Sequence, residues 1–174
     1  GVISTLSHLL KTGILKPDGR FTDKDSYHSL NGDGPDRKYI LVPPEQSAGK
    51  GGVYLTQKDV RATQMAKAAV SAGIGELCSR AGIEKPSRIF IAGAFGNYVN
   101  PKDMKDIGLL PSINGSHIST VGNAAGAGAV LYLLDKKYAS LLNQLIKEIH
   151  VLDLNATPRF QERYISALKF GPTD

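Results

Sequence analysis

Two short runs carry the residue types that build a ligand site. In the first, Arg88-Ile-Phe-Ile-Ala92 leads into Gly93-Ala94-Phe95-Gly96-Asn97; in the second, Ile118-Ser-Thr-Val121 leads into Gly122-Asn123-Ala-Ala-Gly126-Ala-Gly128. Each is a short β-branched or aromatic run, too short for a helix, that ends in residues small enough for a sharp turn. Glycines at the carboxyl end of a strand let backbone pass close to a ligand, and free N–H groups there can accept an anion. A tight strand-to-helix turn with no ligand satisfies the same pattern, so two readings stand on these residues alone. A third group is polar: Gln64, Lys67 and Ser71 fall at spacings of three and four, which places them on one side of a helix. A solvated helix edge is the plain reading, and a ligand-facing stripe is the functional one.

Other chemistry is sparse. The single cysteine, Cys78, excludes a disulfide framework and a cysteine-ligated cluster within this chain, and suits a reducing, cytoplasmic setting. The four histidines lack the close spacing of a metal site. Gln46-Ser-Ala-Gly-Lys-Gly-Gly52 resembles a phosphate-binding loop only superficially, because glycine follows the lysine where a magnesium-binding hydroxyl is needed. A hairpin turn fits it better. No carboxylate has a motif context marking it as a catalytic base; Asp59 and Asp103 read as helix-start residues. No catalytic residue is assigned.

The elements that must hold these groups follow from periodicity. With 174 residues and 41% hydrophobic content, the chain is large enough for one core and reads as a single α/β lobe. It opens at Gly1 directly in an apolar helical pattern, without leader or cleavage site, as a piece of a longer polypeptide would. No apolar run reaches the length of a membrane span. The net charge of +5 is scattered in pairs, which suits an anionic ligand or an acidic partner and gives no nucleic-acid motif.

Helices are expected from Val2 to Leu10, from a Thr56-Gln-Lys-Asp59 capping box to about Arg80, after Asn100-Pro101, over Ala129–Leu134, from Asp135 to about Ile149, and from Pro158 to Leu168. Strands are expected at Lys38–Val42, Val53–Leu55, Arg88–Ala92, Ile118–Val121 and Val151–Leu154, with an exposed loop over Phe21–Pro35. On the longest helix Val60, Ala66, Val70, Ile74, Leu77 and Cys78 form the expected core face, and Ala129–Leu134, apolar nearly all round, is expected to be buried.

Gly122-x-x-x-Gly126-x-Gly128 also fits the glycine fingerprint of short-chain dehydrogenases, and Tyr132-x-x-x-Lys136 mimics their catalytic pair. In that fold the pair lies far downstream of the fingerprint, whereas here it falls on the helix the fingerprint opens.

Thr56-Gln-Lys-Asp-Val-Arg61, Gln64-Met-Ala-Lys-Ala-Ala69, Ile91-Ala-Gly-Ala-Phe-Gly-Asn-Tyr98, Ile107-Gly-Leu-Leu-Pro111 and Val121-Gly-Asn-Ala-Ala-Gly-Ala-Gly-Ala129 together resemble the carboxyl-terminal part of the reductive activators of corrinoid-dependent methyltransferases. The resemblance covers nearly the whole chain and rests on the order of the motifs, each weak alone.

It implies the second lobe of an actin-like, ribonuclease H-like ATPase fold, with a mixed sheet and packing helices. This is the superfamily of acetate and sugar kinases, heat-shock chaperones and actin. It also implies a larger iron-sulfur ATPase that returns a cobalt(II) corrinoid to cobalt(I), with ATP and the corrinoid protein as partners. Magnesium and the phosphate turns would lie outside this chain, the cluster in an amino-terminal domain, and there is room for a homodimer. Neither nucleic acid nor membrane is an expected partner.

Residue by residue, Gly93, Ala94, Phe95, Gly96 and Asn97 are similar to the adenosine motif. Gln64, Lys67 and Ser71 are similar to the chaperone stripe at adenine and ribose, with Gln64 in place of a glutamate. Gly122 and Asn123 open the second connecting motif, where small residues let helices of the two lobes meet at a hinge. A scaffold module of the same fold with no working nucleotide pocket is the rival reading.

Overall fold

The computed structural model describes residues 1–23, 29–49, 51–84, 86–93, 98–111, 117–154 and 157–172, with His117 described by its backbone alone. Helix α1 (Val2–Lys11) leads to a three-stranded antiparallel sheet, β1 (Leu30–Asn31), β2 (Lys38–Val42) and β3 (Val53–Thr56), paired in that order. Helix α2 (Gln57–Arg80) then runs to β4 (Arg88–Ala92), followed by α3 (Pro101–Asp106) and β5 (His117–Gly122). Three helices close the chain: α4 (Ala124–Leu134), α5 (Lys136–Glu148) and α6 (Pro158–Ser166). Parallel and antiparallel pairing are both present, but in two separate sheets among the described residues, since β4 and β5 pair parallel with each other alone.

Helix boundaries follow local chemistry. The Thr56 hydroxyl accepts the Asp59 N–H at 3.1 Å while the Asp59 carboxylate accepts the Thr56 N–H at 2.9 Å, the reciprocal cap the sequence announces. The Thr56 hydroxyl, which donates to the same carboxylate at 2.7 Å, and then the Thr56 N–H hold the Asp59 carboxyl below its usual range, which fits a structural cap. Gly82, at φ +67°, lies just beyond the far end of α2. Asn100 caps α3 ahead of Pro101, and Asp135 caps α5 by accepting the Lys137 N–H at 2.9 Å.

The core gathers Leu6, Leu9, Ile14, Leu15, Phe21, Leu55, Val60, Met104, Ile107, Leu110 and Phe170. Alongside it Ser7 Oγ donates to Asp106 at 3.0 Å and Lys11 pairs with the same carboxylate, joining α1 to α3.

Several expectations are corrected. The buried side of α2 is Val60, Gln64, Lys67, Ala68, Ala72, Gly73 and Glu76, whereas Ala66, Val70 and Leu77 are exposed and Cys78 half-buried. Val60 is buried and Ile74 packs on the core as expected, but hydropathy misplaced the rest of the face, because buried Gln64 and Lys67 have hydrogen-bond partners that remove most of their desolvation cost. Helix α4 has no buried residue, and Leu133 is 81% exposed; its helical neighbour is α5. The β4 run alternates: Ile89 and Ile91 are half-buried and Phe90 exposed. Val151–Asp153 forms no strand, and Val151 is 92% exposed. Within the expected loop at Phe21–Pro35, Phe21 and Thr22 are buried and Leu30–Asn31 pairs with β2. The last helix stops at Ser166 rather than Leu168, and the buried apolar residues there are Ala167 and Phe170 beyond its end, while Ile165 is exposed.

Candidate functional site

The two glycine turns meet at one end of the parallel pair. Register runs from Arg88 opposite His117 to Ala92 opposite Gly122, so both strands end side by side. Gly93 and Gly122 stand there with φ of +84° and +60°, a region L-residues with a side chain rarely adopt. The Gly93 N–H donates to the Gly122 carbonyl at 2.7 Å, which ties the turns together and spends that donor internally. A Cβ at Gly93 would meet nothing within 4 Å, so the position is open toward an approaching group. Ala94, Phe95, Gly96 and Asn97 lie outside the described residues.

Asn123 has a definite local task. Its Oδ1 accepts the Gly126 N–H at 2.9 Å and caps α4, satisfying one of the donors a helix start leaves unpaired. Its amide nitrogen is the group left for other contacts. Tyr132 and Lys136 do not share a helix: α4 ends at Leu134, Asp135 is extended, and α5 begins at Lys136. The dehydrogenase-like pair therefore loses the helical spacing that suggested it.

The polar stripe of α2 is placed elsewhere. Gln64 Nε2 donates to the carbonyls of Leu168 at 2.9 Å and Asp18 at 3.2 Å, and its Oε1 accepts from Arg61 at 2.7 Å. Lys67, 2% exposed, donates to the Lys169 carbonyl and sits 5.3 Å from the centre of the Phe170 ring. Burial lowers its pKa to about 8. Ser71 is half-buried. Gln64 and Lys67 thus pin a strap, residues 167–171, across α2, and Phe170 N donates to the Pro17 carbonyl at 2.8 Å to hold its far side. Glycine makes the fit possible: a Cβ on Gly19 would run into the Gln64 amide, and one on Gly108 into the Gly171 carbonyl. No hydrogen bond among the described residues joins Gln64, Lys67 or Ser71 to Gly93 or Asn123.

One residue of this neighbourhood, which enters the sequence reading only as the end of the Thr56–Arg61 motif, has no site role there. Arg61 lines a cleft of about 310 Å³ together with Asp18, Gln64, Met65, Leu168 and Lys169, and also lines a second cleft on its other side. Its position three residues before Gln64 was the available signal, since that spacing puts both on one helix side. Among the described residues no group of His, Cys, Asp and Glu is arranged to hold a metal, and no helix is long and apolar enough to cross a membrane.

An α/β domain with these two sheets and paired glycine turns is of the actin-like ASKHA class. Residues 1–174 match the family described as the C-terminal domain of RACo, the ASKHA domain, and the chain belongs to that family. It is 36% identical over 181 residues to the corrinoid activation enzyme RamQ of Eubacterium limosum, covering 98% of this chain and 30% of that protein. The solved structure of a reductive activator for corrinoid, iron-sulfur protein superposes with a TM-score of 0.87 at 28% identity, over 100% of this chain and 28% of the other. The chain therefore spans less than a third of the length of either relative.

Proposed function

We propose that this domain is the ATP-binding lobe of a cytoplasmic reductive activator, which returns the cobalt(II) corrinoid of a methyltransferase system to cobalt(I). The observation that carries the nucleotide reading is the pairing of Gly93 and Gly122, both left-handed, at the carboxyl ends of two parallel strands. Ligands of open α/β sheets settle at such strand ends. Gly93 leaves room for the adenosine end, Ala94, Phe95, Gly96 and Asn97 supply the backbone that passes it, and Gly122 with Asn123 forms the opposite lip. Membership of a family whose relatives are named for corrinoid activation supports the rest.

In this reading ATP supplies the free energy for an otherwise unfavourable one-electron transfer. The electron comes from an external reductant through an iron-sulfur cluster, and the corrinoid protein receives it. One cysteine cannot ligate such a cluster, so its ligands, like those of magnesium, belong to other parts of the polypeptide. Gln64 and Lys67 enter as the groups that fix the 167–171 strap. A direct adenosine contact by either, or by Ser71 beside them, would require that strap to exchange its hydrogen bonds for ligand.

The test is cobalt(I) formation, followed by absorbance, when the full-length protein, a reductant and the cobalt(II) corrinoid protein are combined. Cobalt(I) should accumulate with ATP and stay at the background level without it. Equal reduction in both conditions would remove the proposal.

A further inference from the structure

A cluster of cations lies between the turn at 18–23, Arg37 after the short 3-10 turn Gly34–Asp36, and the first turns of α2. Arg20, Arg37, Lys58 and Arg61 line a cleft of about 390 Å³, and among the described residues that line it the one carboxylate is Asp23. Like charges at close range repel, and the internal compensation here is partial. Asp23, 82% exposed, accepts from Arg37 Nη1 at 2.8 Å and from Lys16 at 3.3 Å. Arg20 pairs with Asp18 at 3.2 Å, while Lys58 has no ion-pair partner among the described residues. Arg61 spends Nη1 on the Asp18 carbonyl and on Gln64, each at 2.7 Å.

Arg37 adds a second observation. Its Nε is buried and has no hydrogen-bond partner among the described residues. Leaving such a donor unpaired is costly, and the acceptor that a planar guanidinium fork fits best is an oxyanion. The wall opposite is held in place: Gln57 Nε2 donates to the Gly19 carbonyl at 2.6 Å and its Oε1 accepts the Phe21 N–H at 3.3 Å. The cleft is thus formed before any ligand arrives, and its volume is at the small end of small-molecule sites.

We infer that this cleft binds a small dianionic oxyanion of the phosphate type, with Arg20, Arg37, Lys58 and Arg61 as its donors. An excess of cations favours a dianion over a monocarboxylate, and the small volume suits a free phosphate or a short phosphorylated molecule. The bound group competes with Asp23 for Arg37. The hydrogen bonds from Lys16 and then Arg37 hold that carboxyl below its usual range, so it stays charged and, being exposed, can turn out to solvent. The inference does not rest on the nucleotide reading, because none of these residues belongs to the two glycine turns.

The experiment is equilibrium dialysis of the full-length protein against labelled inorganic phosphate at fixed ionic strength, with a non-hydrolysable ATP analogue saturating any nucleotide site. Wild type should retain one phosphate per chain at this cleft, and Lys58→Gln and Arg20→Gln should each weaken it about tenfold, as losing a charge-assisted hydrogen bond does. Both positions are exposed, and thermal melts of the two variants should match wild type. Three results would each overturn the inference: no retention, retention unchanged in both variants, or displacement by acetate at equal concentration.

Discussion

The two ends of this domain are built to different standards. Around α1, α3, the start of α2 and the carboxyl-terminal strap, Leu6, Leu9, Val60 and Ile107 are wholly buried, and polar side chains are tied down one by one. Around α4 and α5 no residue is buried, although α4 is the most apolar helix of the chain and α5 is strongly amphipathic. The first region is a finished core. The second presents Leu133, Leu134, Leu141, Leu145 and Ile146 to solvent. The candidate adenosine turns fall on the boundary between the two, at the ends of a two-stranded parallel sheet whose inner residues Ile91 and Ile118 pack on the core while Phe90 and Val121 face out. Apolar content alone therefore does not decide burial; what decides it is whether another element packs against the face.

That contrast can be broken by mutation. Leu9→Ala should destabilise the domain by about 2–5 kcal/mol in chemical denaturation, the range for a buried leucine that leaves a cavity. Leu134→Ala, at an exposed position of the same residue type, should stay within about 0.5 kcal/mol when the domain is measured alone. Equal costs would show that α4 is covered after all.

The strap gives a finer, pH-dependent signal. Burial depresses Lys67 to about 8 from an ordinary value near 10.5, so the unfolded chain binds the proton more tightly than the folded one. The penalty is fully present below about pH 8 and is relieved as pH rises toward the unfolded value. Wild type should therefore gain melting temperature relative to Lys67→Met between pH 8 and 10. A constant difference across that range would place the lysine in a far more polar setting than the strap provides.

Much of the layout was legible in the sequence, and the reasons are local. The capping box at Thr56 and Asp59, the Asn100-Pro101 start and the Asp135 cap each satisfy specific backbone donors, so they could be read without tertiary information. The strands β4 and β5 and the glycines at their ends followed from strand-turn patterning, whereas their parallel pairing is a finding of the structure. What could not be read was set by partners distant in sequence. Gln64 and Lys67 are buried because carbonyls about a hundred residues away accept from them, a compensation invisible to periodicity. Phe170 lies beyond the last periodic helix and is core because Pro17 and Lys67 wait for it. Of the candidate site, the glycine turns were found by pattern. The cationic cleft that Arg61 shares was missed, because its walls come from three segments far apart in the chain.

The central claim is that the adenosine end of ATP sits against the turn after β4, and a matched pair of glycines tests it. Gly93 and Gly13 have φ of +84° and +72°, and each has open space where a Cβ would stand, so alanine imposes a similar backbone strain of about 1 kcal/mol at either site. Titration calorimetry of the full-length protein with a non-hydrolysable ATP analogue should show Gly93→Ala binding at least about tenfold more weakly than wild type, and Gly13→Ala unchanged. Equal affinity in the two variants would contradict the assignment.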